Sequence, residues 1–246
     1  MIQVGNKSAL VTGGGSGIGR ALAKNLADKN VKVYIVGRRA NKLEETKRYA
    51  ADYIDPIVAD VATVEGRQLI AKAVGNRPLS YLVHNAAVVE PLKTIDQMTL
   101  EEWRQHSAIN LEAPLFLTQL LLPNLMSGSR LLNISSGLAH YALAGTGAYS
   151  ISKAGLHMLY QVWNEELAPR GILAGSFQPG VIDTEMQQVL RTNKQFVNQP
   201  FFESLKSENK LVSAELVAEK LAWMLLEMDA DEFVEKDWRI DALKER

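Results

Sequence analysis

Short apolar, β-branched runs alternate along this chain with longer stretches in which apolar residues recur every three to four positions. The runs are SALVT (8–12), VKVYIV (31–36), YIDPIVA (53–59), LSYLVH (79–84), SRLLNIS (129–135), ILAGSFQ (172–178) and EFVEKDWRI (232–240). A short continuous apolar run reads as a strand buried on both faces, and the helical period between runs reads as the layer that covers it. Seven strands separated by helices predict an α/β fold, a doubly wound and mostly parallel sheet with helices on both faces. With no internal repeat, low-complexity tract or Pro/Gly/Ser linker, the whole of 1–246 reads as one domain. The alternation lapses at 183–212, DTEMQQVLRTNKQFVNQPFFESLKSENKLV, where helix-like pieces separate one strand from the next long helix. An insertion after a strand's carboxyl end is expected to form a substrate lid.

Composition narrows the partners. The hydrophobic fraction is 47% and the charged fraction 22%, values of a globular chain with a sizeable core. With 27 basic and 28 acidic side chains the net charge is −1. Nothing electrostatic therefore favours nucleic acid or an anionic membrane. The absence of Cys removes disulfides and thiol chemistry, the opening MIQVGNKSALVTGG lacks a charged leader followed by a long apolar run, and no segment reaches a membrane-spanning length. These features lead us to expect a cytoplasmic protein.

The first strand runs directly into TGGGSGIGR (12–20) and then a good helix, ALAKNLADK. Strand, glycine turn and helix in this order suit a phosphate: glycines let backbone approach a pyrophosphate, and the helix N-terminus attracts the anion. Gly13, Gly17 and Gly19 are the candidates for those tasks, with Gly15, Ser16 and Ile18 between them. A reader of NAD would carry an acid about 20 residues further on. Here the second strand ends in Gly37-Arg38-Arg39, with no acid before Glu44. Arg38, or Arg39 with it, favours the 2′-phosphate of NADP(H), unless the pair simply solvates a loop. Asp60 and Val61 after the third strand would reach the adenine edge. Asn85, Ala86 and Ala87, after the fourth strand and His84, are small enough for a ligand to lie close.

GTGAYSISKAG (145–155) places Tyr149 and Lys153 one helical turn apart on a shared face. Hydride transfer to a carbon needs a matched proton transfer at its oxygen, and Tyr149 is the candidate acid. A free Tyr has a pKa of about 10, so positive charge from Lys153 would be needed to stabilise its phenolate. Ser136, at the end of LLNISSG, would hold the carbonyl oxygen as charge develops on it.

TGGGSGIG, NAA at 85–87, Asn110, Ser136, YSISK at 149–153 and PGVIDT at 179–184 together resemble the short-chain dehydrogenase/reductases over almost the whole chain. The resemblance implies a single Rossmann domain with a seven-stranded parallel sheet. It makes Tyr149 the acid/base, Ser136 the substrate-oxygen anchor, and Lys153 the residue that lowers the Tyr pKa and holds the nicotinamide ribose. Asn110, in HSAINLEAPLF, would fix a water linking Lys153 to solvent. Pro179, Gly180 and Ile182 would line the nicotinamide, with Thr184 near its carboxamide. His84 and Ala87 depart from the family's NNAG turn.

The last third, from PGVIDTEMQQVLR to WRID, is similar to the sepiapterin reductase and bacterial benzil reductase branch. That comparison implies a pterin-anchoring role for Asp241, whose other reading is a charge just beyond the last strand. Met186, Phe201 and Phe202 would form an apolar wall for a bulky dicarbonyl, or pack a lid. Four histidines, His84, His106, His140 and His157, are scattered without a metal-ligand spacing, so no metal is expected. The apolar runs 115–125 and 155–163 exceed one core face, and in the family the matching helices pack against a neighbour, which implies a homodimer or homotetramer.

The expected activity is NADPH-dependent reduction of a small-molecule ketone or vicinal dicarbonyl. An NAD(P)-linked alcohol dehydrogenase or 3-oxoacyl reductase is the alternative, and a non-catalytic NADP(H)-responsive regulator is a third reading.

Overall fold

The first strand, β1 (Ser8–Thr12), shows how the sheet is built. Side chains of a strand alternate between faces. Accordingly Ala9 and Val11 enter one apolar layer with Leu22 and Leu26, whereas Leu10 enters the other with Leu82 and Leu117. Both layers are fully closed to water around these residues. Each fully buried Leu or Phe stabilises by roughly 1.5–3 kcal/mol, so the two layers hold the helices in place more than helix propensity does.

The computed structural model describes residues 7–243, so both ends of the 1–246 domain expected from sequence lie outside the described residues. The other strands are β2 (Lys32–Gly37), β3 (Ile54–Val58), β4 (Leu79–His84), β5 (Leu125–Ile134), β6 (Leu173–Gln178) and β7 (Asp237–Arg239). Their order is 3-2-1-4-5-6-7, and every pairing is parallel. The mostly parallel sheet expected from sequence is thus wholly parallel, a Rossmann-like α/β domain. The chain order reverses between β1 and β4, and the crevice beyond the carboxyl ends of these strands is where such sheets bind ligands.

Ten α-helices accompany the strands among the described residues: α1 (Gly17–Asp28), α2 (Ala40–Lys47), α3 (Val64–Val74), α4 (Leu100–Ser107), α5 (Ala113–Leu121), α6 (Gly147–Leu167), α7 (Glu185–Thr192), α8 (Gln199–Ser207), α9 (Ala214–Leu226) and α10 (Ala230–Glu235). Helices α1 and α9 cover one face through Leu22, Leu26, Val217 and Leu221. Helices α3, α5 and α6 cover the other through Ile70, Leu117 and Trp163.

Two strands depart from the expected bounds. β5 starts at Leu125 because Leu125 pairs with Leu79 before an irregularity, and regular register resumes with Arg130 opposite Tyr81. The Ser129 hydroxyl holds that irregularity, accepting from Met126 N at 2.9 Å and donating to Leu79 O at 2.7 Å. β7 is confined to 237–239 because 230–235 forms α10, capped by the Asp229 carboxylate accepting from Asp231 N at 2.9 Å.

The 183–212 segment leaves the sheet and returns to the same place. Ile182 and Val212 form a parallel bridge, with Val212 N donating to Val181 O at 2.9 Å and Asp183 N to Val212 O at 3.1 Å. Between these ends α7 and α8 fold over a third apolar cluster that includes Tyr149, Leu190, Phe196 and Phe202.

Candidate active site

A cavity of roughly 830 Å³ opens along the carboxyl ends of the strands, from the glycine turn to Tyr149. Gly13, Gly15, Ser16, Gly17 and Ile18 line one end. Gly13 has φ +70°, and a Cβ there would lie 2.7 Å from Asn85 Nδ2. Such a conformation and approach admit only glycine. Gly19 is not part of the cavity wall: a Cβ at Gly19 would collide with the Gly13 carbonyl, so this glycine lets α1 sit tightly against the turn. Ser16 precedes α1 in extended conformation without capping it through its hydroxyl. The helix end is therefore open to an anion.

Thr12, which sequence reasoning passed over, joins the turn to the next strand end. Its hydroxyl accepts from the backbone N of Asn85 and of Ala86, both at 3.0 Å, and Asn85 Nδ2 donates to Thr12 O at 2.8 Å. Asn85, Ala86 and Ala87 accordingly form the cavity floor beside the glycines. Asp60 and Val61 line the same end.

The two arginines after β2 have different surroundings. Arg38 is largely exposed, and its nearest carboxylate is that of Asp60 at 3.9 Å. Arg39 reaches across the cavity mouth to both oxygens of Glu185 on α7, at 2.8 and 3.3 Å, and to Ser16 Oγ at 3.3 Å. That guanidinium holds the Glu185 carboxyl below its usual range. Glu185 had no signal in the sequence, because the pair spans 146 residues.

Tyr149, Lys153 and Ser136 all line this cavity. α6 presents Tyr149 and Lys153 on one face, both buried. Lys153 Nζ lies 5.5 Å from the Tyr149 ring centroid and donates to Ile134 O at 2.6 Å. Ser136 hydrogen-bonds Tyr149, and its hydroxyl also accepts from Leu138 N at 3.2 Å. Burial pushes Tyr149 up to about 12, opposed by the Ser136 bond. Burial also brings Lys153 down to about 8, opposed by the charge of Asp237. The lowered Tyr pKa expected from sequence is therefore not a property of these side chains alone, since desolvation outweighs the Ser136 hydrogen bond.

Asn110 lies behind this group and does not line the cavity. It sits in a π-helical turn, Ala108–Glu112, between α4 and α5. Its amide clasps Val88 from both sides, Nδ2 donating to Val88 O at 2.8 Å and Oδ1 accepting from Val88 N at 2.9 Å. Nδ2 also lies 2.9 Å from His106 Nε2, which is 3.0 Å from Ser152 Oγ. His106 was not assigned a role from sequence, yet it packs edge-on to Tyr149 at 6.3 Å. Burial keeps its pKa low.

At the far end Pro179, Gly180, Ile182 and Thr184 line the cavity after β6, followed by Met186. Thr184 caps α7, and its methyl would be 3.1 Å from a Cβ at Gly17, so the segment after β6 closes down on the glycine turn. Phe201 and Phe202 complete the apolar wall with Leu138 and Leu143. Asp241 stands apart: it is 59% exposed, pairs with Arg239 at 3.7 Å, and does not line the cavity, whereas Arg239 does. The turn of 240–243 after β7 carries Asp241 past the rim.

The histidines are not all scattered. His84 is buried against Trp163 and Thr118, where desolvation lowers its pKa to about 3, and it is a core residue. His140 and His157, however, come together on Asp237 outside the cavity wall, contrary to the spacing argument against a metal-ligating group. Chain separation hid this cluster, because its members lie on three different elements.

The glycine cradle suits a dinucleotide cofactor, and similar proteins include a structure in complex with NADP. The family model for short chain dehydrogenases matches residues 7–195. A benzil reductase ((S)-benzoin forming) of Bacillus cereus is 34% identical over 234 residues, 88% of this chain and 92% of that protein. The benzil reductase of Bacillus subtilis is 32% identical over 227 residues, with the same coverage. A short chain dehydrogenase/reductase structure from Saccharomyces cerevisiae superposes with a TM-score of 0.88 at 28% identity, covering 97% of this chain and 98% of that one. A Burkholderia cenocepacia short chain dehydrogenase in complex with NADP gives 0.81 at 26% identity, covering 96% of both. With the glycine turn, the Tyr149–Lys153 face and Ser136 meeting in one cavity of a wholly parallel sheet, and with relatives that share nearly its full length, this chain belongs to the short-chain dehydrogenase/reductases, a family of oxidoreductases.

Proposed function

We propose that the protein is an NADPH-dependent carbonyl reductase acting on a bulky ketone or vicinal dicarbonyl, with Tyr149 as the proton donor. The observation that carries this reading is the meeting of Tyr149, Ser136 and Lys153 midway between an anion-ready glycine turn and an apolar wall. Bound along the cavity, NADPH would supply the hydride for the carbonyl carbon. The backbone of Gly13, Gly15, Gly17 and Ile18 would hold its pyrophosphate. Arg38 would take the 2′-phosphate, and Asp60 and Val61 the adenine edge. Pro179, Gly180, Ile182 and Thr184 would line the nicotinamide.

Ser136 Oγ already accepts from Leu138 N, and its proton, directed at Tyr149 in the chain alone, would turn to the substrate oxygen. Tyr149, with a pKa near 12 in the chain alone, is a neutral phenol at physiological pH and so holds the proton that reduction requires. Lys153, buried beside it, carries the charge that stabilises the phenolate left behind. Asn110 and His106 keep the Val88 strip and α6 in register behind that proton path. An Asn110-bound water returning the proton to Lys153 remains part of the proposal.

The apolar wall of Leu138, Met186, Phe201 and Phe202 supports an aromatic or bulky carbonyl over a sugar, in line with the benzil reductases the chain resembles. The 183–212 segment would serve as the lid, fastened by Arg39 to Glu185. Leu115, Phe116 and Leu120 on α5 and Ile151, Met158 and Val162 on α6 are exposed, which supports a homodimer or homotetramer through these helices. A cysteine-free chain suits a reducing cytoplasm.

Initial rates of NADPH oxidation, with NADH as control, test the reading on benzil, diacetyl, sepiapterin, an acetoacetyl thioester and a steroid ketone. Turnover of benzil or sepiapterin with a clear NADPH preference is expected. A preference for the thioester, or no turnover of any of them, overturns the substrate assignment.

A further inference from the structure

Outside the cavity wall, four side chains from four parts of the fold point at one spot. His140 follows the short helical turn after β5, His157 lies on α6 one turn beyond Lys153, Gln178 ends β6, and Asp237 opens β7. His140 Nε2 is 2.9 Å from Asp237 Oδ2, and His157 Nδ1 is 3.4 Å from the same oxygen. The Gln178 side-chain amide lies 2.8 Å from Asp237 Oδ2 and 3.0 Å from His140 Nε2. Four ligands around a first-row dication with bonds of about 2.0–2.1 Å stand about 3.3 Å from one another. Four of the six separations, 2.8 to 3.4 Å, come within about half an ångström of that figure, and the His140, His157 and Asp237 ligand atoms all lie within 4.8 Å of one another.

Hydrogen bonding leaves this cluster incomplete. The Asp237 side chain is only 5% exposed, yet its Oδ1 has no hydrogen-bond partner. His157 Nδ1 is likewise buried without one, although it lies 3.4 Å from Asp237 Oδ2. Oδ2 accepts from Gln178 and from Ser135, at 3.3 Å, but a buried carboxylate oxygen and a buried ring nitrogen left unpartnered cost free energy that a cation bound by Asp237 and His157 would offset. Turning the Gln178 amide over presents Oε1 to the same spot as a fourth ligand. His140, 42% exposed, gives an ion a path in from solvent.

We propose that His140, His157, Asp237 and Gln178 form a binding site for a single divalent transition-metal ion of the zinc class. Two imidazoles, one carboxylate and one amide oxygen suit zinc or cobalt and are poor ligands for calcium or magnesium. The ion would brace the strip after Ser136, whose Leu138, Tyr141 and Leu143 line the cavity, against α6 and β7. This site is structural and does not depend on the substrate proposed above.

The test uses the full chain without a histidine tag, stripped with chelator and titrated with Co2+, then with Zn2+ in competition. One Co2+ per chain is expected, with the visible absorption of four-coordinate cobalt, displacement by Zn2+, and a rise in melting temperature on loading. His140→Ala, at an exposed side chain that the fold does not need, should weaken binding at least about 100-fold, the upper end of what losing even an outer partner of a metal ligand costs. His157→Gln should do the same where its melting curve shows it folded. Absence of the cobalt bands at stoichiometric metal, or equal binding by the wild type and His140→Ala, overturns the site.

Discussion

Lys153 Nζ stands 5.5 Å from the centre of the Tyr149 ring and donates a 2.6 Å hydrogen bond to the Ile134 carbonyl, so the cation is anchored beside the phenol and does not touch its oxygen. Both groups are buried, and burial favours the neutral form of each, Tyr149 moving up to about 12 and Lys153 down to about 8. At neutral pH the phenol therefore keeps its proton.

Tyr149→Phe removes the proton donor while leaving the ring in its apolar cluster. The variant should bind NADPH about as tightly as the wild type by calorimetry and lose turnover by about 10²- to 10⁴-fold, the range for loss of a general acid. Turnover within a few-fold of wild type would remove Tyr149 from the mechanism.

Arg38→Ala deletes an exposed guanidinium whose nearest acid is 3.9 Å away. A charge-assisted bond to a 2′-phosphate contributes about 1.5–3 kcal/mol, so KM for NADPH should rise by about 10- to 100-fold. KM for NADH should hardly change. An equal loss for both cofactors would mean that Arg38 reads something other than the 2′-phosphate.

Glu185→Gln releases Arg39 from a pair that is exposed on both sides, at 53% and 54%. Such a pair contributes at most about 1 kcal/mol, so the fold should be unaffected. If Glu185 competes with the cofactor for Arg39, NADPH should bind a few-fold more tightly and NADH should not. Weaker binding of both would show instead that the Arg39–Glu185 pair acts as a clasp holding 183–212 over the cofactor.

Lys153→Met tests the cost of the buried cation. The drop from the ordinary 10.5 to about 8 corresponds to ~3 kcal/mol held against folding at neutral pH. Between pH 8 and 10.5 the unfolded chain keeps a proton that the folded chain has released, so wild-type stability rises with pH across that window. The variant should therefore lose turnover yet melt no lower than the wild type at pH 7, with its relative advantage shrinking by pH 10. A clearly lower melting temperature at pH 7 would show that the Ile134 bond outweighs desolvation.

Local chemistry decided most of the architecture from sequence alone. The short apolar runs and the helical stretches between them marked the element order, because a strand buried on both faces and an amphipathic helix each carry their own pattern along the chain. The glycine turn was equally legible, since a positive φ and a close backbone approach at Gly13 leave no other residue possible. Tyr149 and Lys153 needed only the helical repeat to be placed on one face. Tertiary packing decided the rest. It gave Arg39 to Glu185 and left Arg38 largely exposed beside Asp60, fixed the Asn110 amide on Val88, and set Asp241 outside the cavity while burying Asp237 among two histidines and a glutamine. It also reversed the direction of the Tyr149 shift, because desolvation depends on what the whole fold brings around a group. Spacing along the chain carries backbone geometry, whereas charge pairing and burial are set by residues 80 to 146 positions apart, as between His157 and Asp237 or Arg39 and Glu185.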